Sequence, residues 1–156
     1  MDTIIGIGEL GIIKNPGDRL ITYALASCVA VTFYCQEPKV AGMIHVALPR
    51  KPDHIKDLRR PGYYAATGLP ILMKALVSEY GCDLSRTRIH MIGGASSVRG
   101  RDVFNIGQRN TKQIKKILNS RGLGFNTDDL GGTLSRTVEL ELSKGEINIC
   151  YHLMAV

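Results

Sequence analysis

The sequence predicts an α+β fold, with mixed β-sheet layers flanked by two main helices. Three observations predict it. Short runs rich in β-branched and aromatic residues outnumber the segments with helical spacing. Only two segments carry apolar residues at three- and four-residue intervals, and they fall between strands without regular alternation. Finally, 156 residues without an internal repeat, low-complexity tract or Pro/Ser-rich linker suit one compact domain, residues 1–156.

The elements follow in order. Thr3–Gly8 and Gly11–Lys14 read as strand pieces separated by Glu9 and Leu10, and Asn15-Pro16-Gly17-Asp18 is a turn by its chemistry. Arg19–Tyr23, Val29–Tyr34 and Val40–Leu48 continue as strands, the last two joined by a turn at Gln36-Glu37-Pro38-Lys39. Tyr63–Tyr80 has apolar residues at 65, 69, 72, 73, 76 and 77, which is helical spacing, and Gly81 follows as a stop. Pro70 within it is expected to kink the helix or to mark its true beginning. Thr87–Ile92 is a strand leading into Gly93-Gly94-Ala95-Ser96-Ser97. Asn110, with Gln113 three residues on, predicts the N-cap of a second helix whose apolar stripe is Ile114, Ile117 and Leu118, ended by Gly122. Gly124–Thr127, Thr137–Leu142 and Glu146–His152 complete the strands.

Composition narrows the class. A chain of this size buries enough surface to fold without disulfides or metal. The opening residues lack the basic segment and long apolar stretch of a signal peptide, and no run reaches the length of a membrane span. The cysteines, at 28, 35, 82 and 150, form no CxxC pair and do not cluster with histidines, which argues against a zinc site. The expectation is a cytoplasmic protein with reduced thiols, no stable membrane insertion, and no metal or organic cofactor. Net charge is +6, compatible with nucleic acid, an anionic surface or an acidic protein partner. The basic residues are scattered, densest at Arg50, Lys51, Lys56, Arg59 and Arg60, without the interleaved aromatics of an RNA-binding sheet. Nucleic acid is therefore not expected as a partner, and the basic stretch is a solvated loop or an attractor of acidic helices.

One juxtaposition carries chemistry. A hairpin turn centred between Gln36 and Glu37 sets Cys28 opposite His45, within one residue, and direct cross-strand neighbours have Cβ atoms ~4.5–5.5 Å apart. An isolated cysteine is ordinarily a small core hydrophobe, and an isolated histidine near a strand end is ordinarily structural. A thiol with an imidazole in reach has the parts of a cysteine nucleophile and its base.

The residues around this pair resemble a known family. Thr22-Tyr23-Ala24-Leu25-Ala26-Ser27-Cys28-Val29 and Gly42-Met43-Ile44-His45 through Leu48-Pro49 are similar to the signature of the chemoreceptor glutamine deamidases of the CheD family. The similarity continues through Tyr64-Ala65, Gly93-Gly94-Ala95, Asn105-Ile106-Gly107-Gln108-Arg109-Asn110 and Asp129-Leu130-Gly131-Gly132 with Arg136. It runs in order from Ile7-Gly8-Glu9 to about Glu139. The resemblance implies an α/β sandwich related to toxin-type cysteine deamidases. It implies Cys28 as nucleophile, His45 as base and Thr22 as third member, with methyl-accepting chemotaxis receptors as protein substrate and a CheC-type phosphatase as regulatory partner. Ala24, Ala26 and Ala41 stand where the family often has glycine, and alanine is disfavoured at positive φ.

On this reading a thiolate–imidazolium pair attacks a glutamine carbonyl, ammonia departs, and water releases glutamate from a thioester on Cys28. Ala26, Ser27 and Gly94 are the residues expected to line the substrate or supply oxyanion donors. The Gly93–Ser97 loop lacks the lysine of a P-loop and is expected to be a tight turn at the cleft. Two other enzymatic or binding outcomes compete: acyl transfer to an amine, and a catalytically silent module that only binds a CheC-type phosphatase.

Overall fold

The computed structural model describes residues 1–54, 56, 60–97 and 104–154. Arg59, from the basic stretch, lies outside the described residues. The strands are β1 (Asp2–Ile4), β2 (Leu10–Ile13), β3 (Arg19–Leu25), β4 (Val29–Cys35), β5 (Val40–Val46), β6 (Arg88–Gly93), β7 (Asn126–Leu130), β8 (Leu134–Glu141) and β9 (Ile147–Leu153). The helices are α1 (Ala65–Ser78) and α2 (Ile106–Ser120). Short 3-10 turns occupy Pro61–Tyr63 and Leu84–Arg86.

Two sheets form. One has the order β1-β3-β8-β9 and the other β2-β5-β4-β6-β7. Both are mixed: β1 runs parallel to β3 and β6 parallel to β7, while the remaining pairs are antiparallel. The α+β class expected from strand and helix counts is what the chain adopts.

Burial explains the layering. Every residue of β4 and β5 is buried, so these strands are covered on both faces. On one side Val31, Phe33, Ile44 and Val46 pack with Leu69, Leu72 and Met73 of α1 and Ile114 and Leu118 of α2. On the other, Ala30, Tyr34, Ala41 and Met43 pack with Leu20, Leu25, Val138 and Leu140 of the four-stranded sheet. The continuous apolar runs in these two strands reflect this double covering. By contrast β8 alternates between buried and half-buried positions, as a strand with one wet face must.

Three local expectations are corrected. Cys35 stays in β4 because its side chain packs in the helix-side core. The turn therefore starts at Gln36, and Cys35 pairs with Val40. That moves the turn centre one residue along and the register by two, so His45 faces Ala30 and not Cys28. The second helix begins at Ile106, with Asn105 as its N-cap in the left-handed region, φ 49°, and Asn110 lies inside it. Of the two expectations for Pro70, a helix start is excluded, since it sits within α1.

Candidate active site

The chain passes from the four-stranded to the five-stranded sheet through Ala26, Ser27 and Cys28, the corner between β3 and β4. Cys28 is half-buried and packs on the inter-sheet core. His45 is two residues along β5 from Met43, which faces that same core, so strand alternation puts its side chain on that face. Ala30 lies opposite His45. Cys28 is two residues before it, making the thiol and imidazole diagonal neighbours on one face rather than direct ones. Diagonal positions are ~7–8 Å apart at the backbone, within reach of long side chains.

Thr22 comes to His45 from the other sheet. Both side chains are fully buried. The Thr22 hydroxyl lies 2.7 Å from His45 Nδ1 and 2.6 Å from the carbonyl oxygen of Ile5. A hydroxyl has one hydrogen, and the Ile5 carbonyl can only accept it. Thr22 Oγ1 therefore accepts from Nδ1–H, and this fixes the tautomer with a bare Nε2. Nε2 is buried and has no partner among the described residues. The main chain of His45 is held as well: its N–H donates to Glu9 at 3.1 Å and its carbonyl accepts from Gly8 at 2.9 Å.

Electrostatics favours the neutral pair. Burial lowers the His45 pKa from 6.5 to about 4. Burial raises Cys28 from 9.0 to about 11, opposed in part by its own backbone N–H beside the thiol. Removing either charged form from water costs more than this site returns at rest. Both shifts favour thiol and neutral imidazole over the thiolate–imidazolium pair expected from the sequence.

The loop carbonyls are all engaged. Ala26 accepts from the Ala95 N–H at 2.8 Å, Cys28 from the Gly94 N–H at 2.8 Å, and Ser27 from Asn110 Nδ2 at 3.1 Å. Gly94 is accordingly a brace, since its amide is committed to Cys28 and is not available as an oxyanion donor. Close approach demands glycine here. A Cβ on Gly107 would fall 2.5 Å from the Gly94 carbonyl oxygen, and one on Gly94 2.8 Å from Thr111 Oγ1. Gly93-Gly94-Ala95 and Asn105–Asn110 thus belong to one contact between the β6 end and the first turns of α2.

Arg136 secures the far side. Its guanidinium donates to Asp129 at 2.8 Å and to the carbonyls of Gly131, at 2.8 Å, and Leu134, at 3.2 Å. Tyr151 donates to the same Asp129 carboxylate. Gly131 N–H donates to Gly93 and Ser96 N–H to Gly132, at 2.8 and 2.9 Å. The clamp joins an edge of the five-stranded sheet to β8 and β9 and backs the glycine loop.

Sequence reasoning brought Thr22, Cys28, His45, Ser27, Ala26 and Gly94 to this corner, and all lie there. It missed Asn110 as a site neighbour, reading its position as a helix cap. Ala24 holds φ 57°, so an alanine occupies a left-handed position just before the corner. No group of three or more His, Cys, Asp or Glu side chains suited to a metal ion occurs among the described residues.

Fold and corner together define a two-sheet α+β protein with a half-buried thiol at a sheet crossover and an oriented, neutral imidazole on the same face. The chain belongs to the CheD family: residues 47–150 match the model described as CheD chemotactic sensory transduction. That span begins just after His45, but similar proteins extend across the corner. A protein of Syntrophotalea carbinolica named "Probable chemoreceptor glutamine deamidase CheD" is 47% identical over 152 residues, covering 95% of this chain and 93% of its own. "Chemoreceptor glutamine deamidase CheD" of Thermotoga maritima is 37% identical, covering 94% and 90%. Among solved structures, the Bacillus licheniformis hypothetical protein YfiH has a similar fold. Its TM-score is 0.53 at 13% identity, with 78% of this chain and 51% of that one covered.

Proposed function

We propose that this protein hydrolyses glutamine side chains of methyl-accepting chemotaxis receptors to glutamate and ammonia, in the cytoplasm, with Cys28 as nucleophile. One observation supports the reading above the others: Thr22 leaves His45 Nε2 unprotonated on the face that carries Cys28. The names of the similar proteins supply the substrate class.

The reaction starts from neutral groups. As Sγ of Cys28 attacks the carboxamide carbon, His45 Nε2 takes the thiol proton, and the carbonyl oxygen becomes an oxyanion. Charge is created only as attack proceeds, so neither ion has to be maintained in a buried site at rest. The Cys28 N–H is the donor that the oxyanion would meet. The C–N bond then breaks, Nε2–H passes its proton to the leaving nitrogen, and ammonia departs from a thioester. Water attacks the thioester carbon while Nε2 accepts its proton. Cys28 recovers that proton, and a carboxylic acid is released that ionises to glutamate. Thr22 holds the ring throughout and accepts a stronger Nδ1–H hydrogen bond when the ring is cationic.

Basic groups beside the corner suit an acidic receptor segment. Arg50 shares a groove with Arg109, Lys112 and Lys116 of α2. A second groove of about 660 Å3 includes Gly94, Lys112, Lys115, Lys116 and Leu130. A CheC-type phosphatase as regulatory partner rests on the family resemblance. The test is ammonia release and peptide mass spectrometry on a chemoreceptor signalling domain with the parent protein or Cys28→Ala. Gln-to-Glu conversion by the parent alone is expected. Equal activity from both would remove Cys28 as nucleophile.

A further inference from the structure

We infer that Asn110 is a positioning residue of this site, fixing the direction of the Cys28 N–H and the spacing between the thiol and imidazole segments. The inference rests on the deamidase reading above. Asn110 lies inside α2 and is fully buried. Its Nδ2 donates to the Ser27 carbonyl at 3.1 Å and to the Ala47 carbonyl at 3.0 Å. Ser27 immediately precedes Cys28, and Ala47 is two residues beyond His45. One NH2 group thus ties both segments to one point of a helix. Two acceptors facing the same atom also settle which end of the amide is nitrogen, since an oxygen there would meet two carbonyls.

The tie has a directional effect. The Ser27–Cys28 peptide is trans, and in a planar trans peptide C=O and N–H point opposite ways. Drawing the Ser27 carbonyl toward α2 therefore turns the Cys28 N–H away from the helix. That N–H lies beside the Cys28 thiol, where a carbonyl under attack would place its oxygen. The Ala95-to-Ala26 hydrogen bond acts on the preceding peptide in the same way.

Stability alone does not account for asparagine at this position. It heads the buried stripe continued by Ile114 and Leu118, where a leucine would be the better helix former. Its Oδ1 is buried without a partner among the described residues, which a core chosen for stability would avoid.

The experiment compares the parent with Asn110→Leu, which keeps the bulk and removes the donors, and with Leu118→Ala, which weakens α2 packing without touching the tie. Three quantities are read at a temperature where all are folded. They are kcat and KM for ammonia release from a chemoreceptor signalling domain, the iodoacetamide alkylation rate of the Cys28 peptide by mass spectrometry, and thermal stability. Asn110→Leu is expected to lose about 100-fold in kcat, the scale for a misplaced catalytic geometry, with KM unchanged. Its Cys28 alkylation should slow as well, while Leu118→Ala keeps both. Unchanged kcat in Asn110→Leu, or an equal loss in Leu118→Ala, would overturn the positioning role. If the parent releases no ammonia, the deamidase reading fails, and alkylation still decides: slowing confined to Asn110→Leu supports the tie, and equal rates overturn it.

Discussion

Thr22 and His45 meet across the interface between the two sheets, and their hydrogen bond has one possible direction. The Thr22 proton goes to Ile5, so His45 must donate from Nδ1 at 2.7 Å. The tautomer of the proposed base is thereby set by a residue with no ionisable group. A nitrogen-correlated NMR spectrum of the imidazole is expected to show the Nδ1–H tautomer at neutral pH.

Thr22→Val keeps the shape and removes the acceptor. The Ile5 carbonyl and Nδ1–H then both lose a buried partner, a loss of about 1–3 kcal/mol in stability. Deamidation should fall ~100-fold, the low end of what general-base catalysis contributes. Thr22→Ser should retain most activity. Urea melts and kcat for the two variants check both parts.

Stability should respond to acid through His45. Its folded pKa, about 4, is depressed below 6.5, so between these values the unfolded chain binds more protons. This contribution is complete above pH 6.5 and is lost as pH falls through the folded pKa, by roughly 3 kcal/mol in all. Cys28 acts at the other end: its folded pKa is raised to about 11, so its contribution is present below pH 9 and lost as pH rises through 11. Melting temperatures from pH 7 to 4 should fall less steeply in His45→Gln than in the parent.

Ala24→Gly should stabilise the protein. A left-handed alanine costs about 1–2 kcal/mol, and the extra freedom of an unfolded glycine returns about 0.5–1 of it. The net expectation is a gain of up to ~1 kcal/mol, or a few degrees in melting temperature, measured by calorimetry.

Gly107→Ala should do the reverse. Its Cβ would fall 2.5 Å from the Gly94 carbonyl oxygen and 2.8 Å from that of Ala95, both main-chain atoms that cannot move aside cheaply. A loss of about 3 kcal/mol is expected, with Cys28 alkylation altered because Gly94 braces that residue.

Charge reversal on α2 separates docking from chemistry. Lys112→Glu with Lys116→Glu should raise KM several-fold at low salt and leave kcat unchanged, with the difference shrinking as salt is added. Steady-state rates at two ionic strengths check this.

The sequence made some of this legible and concealed the rest for physical reasons. The runs at Val29–Cys35 and Val40–Val46 announce doubly covered strands because burial on both faces removes polar alternation. The side-by-side placement of Cys28 and His45 followed from the hairpin, but Cys35 lengthened β4 and made the neighbours diagonal. Asn110 and Gln113 imitate a capping box, while the true start is hidden by Asn105 in a left-handed conformation and by Gly107. Local patterns could not show that Asn110 points at two carbonyls more than sixty residues away in sequence. The Thr22 hydroxyl is equally silent in sequence, because a β-branched residue in a strand is ordinary and its partner belongs to another sheet.

That last arrangement has a practical meaning for the living cell. The imidazole is anchored in one layer and its hydrogen-bond acceptor in the next, so the working alignment is a property of how the layers are stacked. A small slide of one sheet over the other would leave every strand intact and part the ring from its acceptor. On the proposed mechanism, heat or a destabilising substitution would then show first as lost deamidation, with the chain still folded.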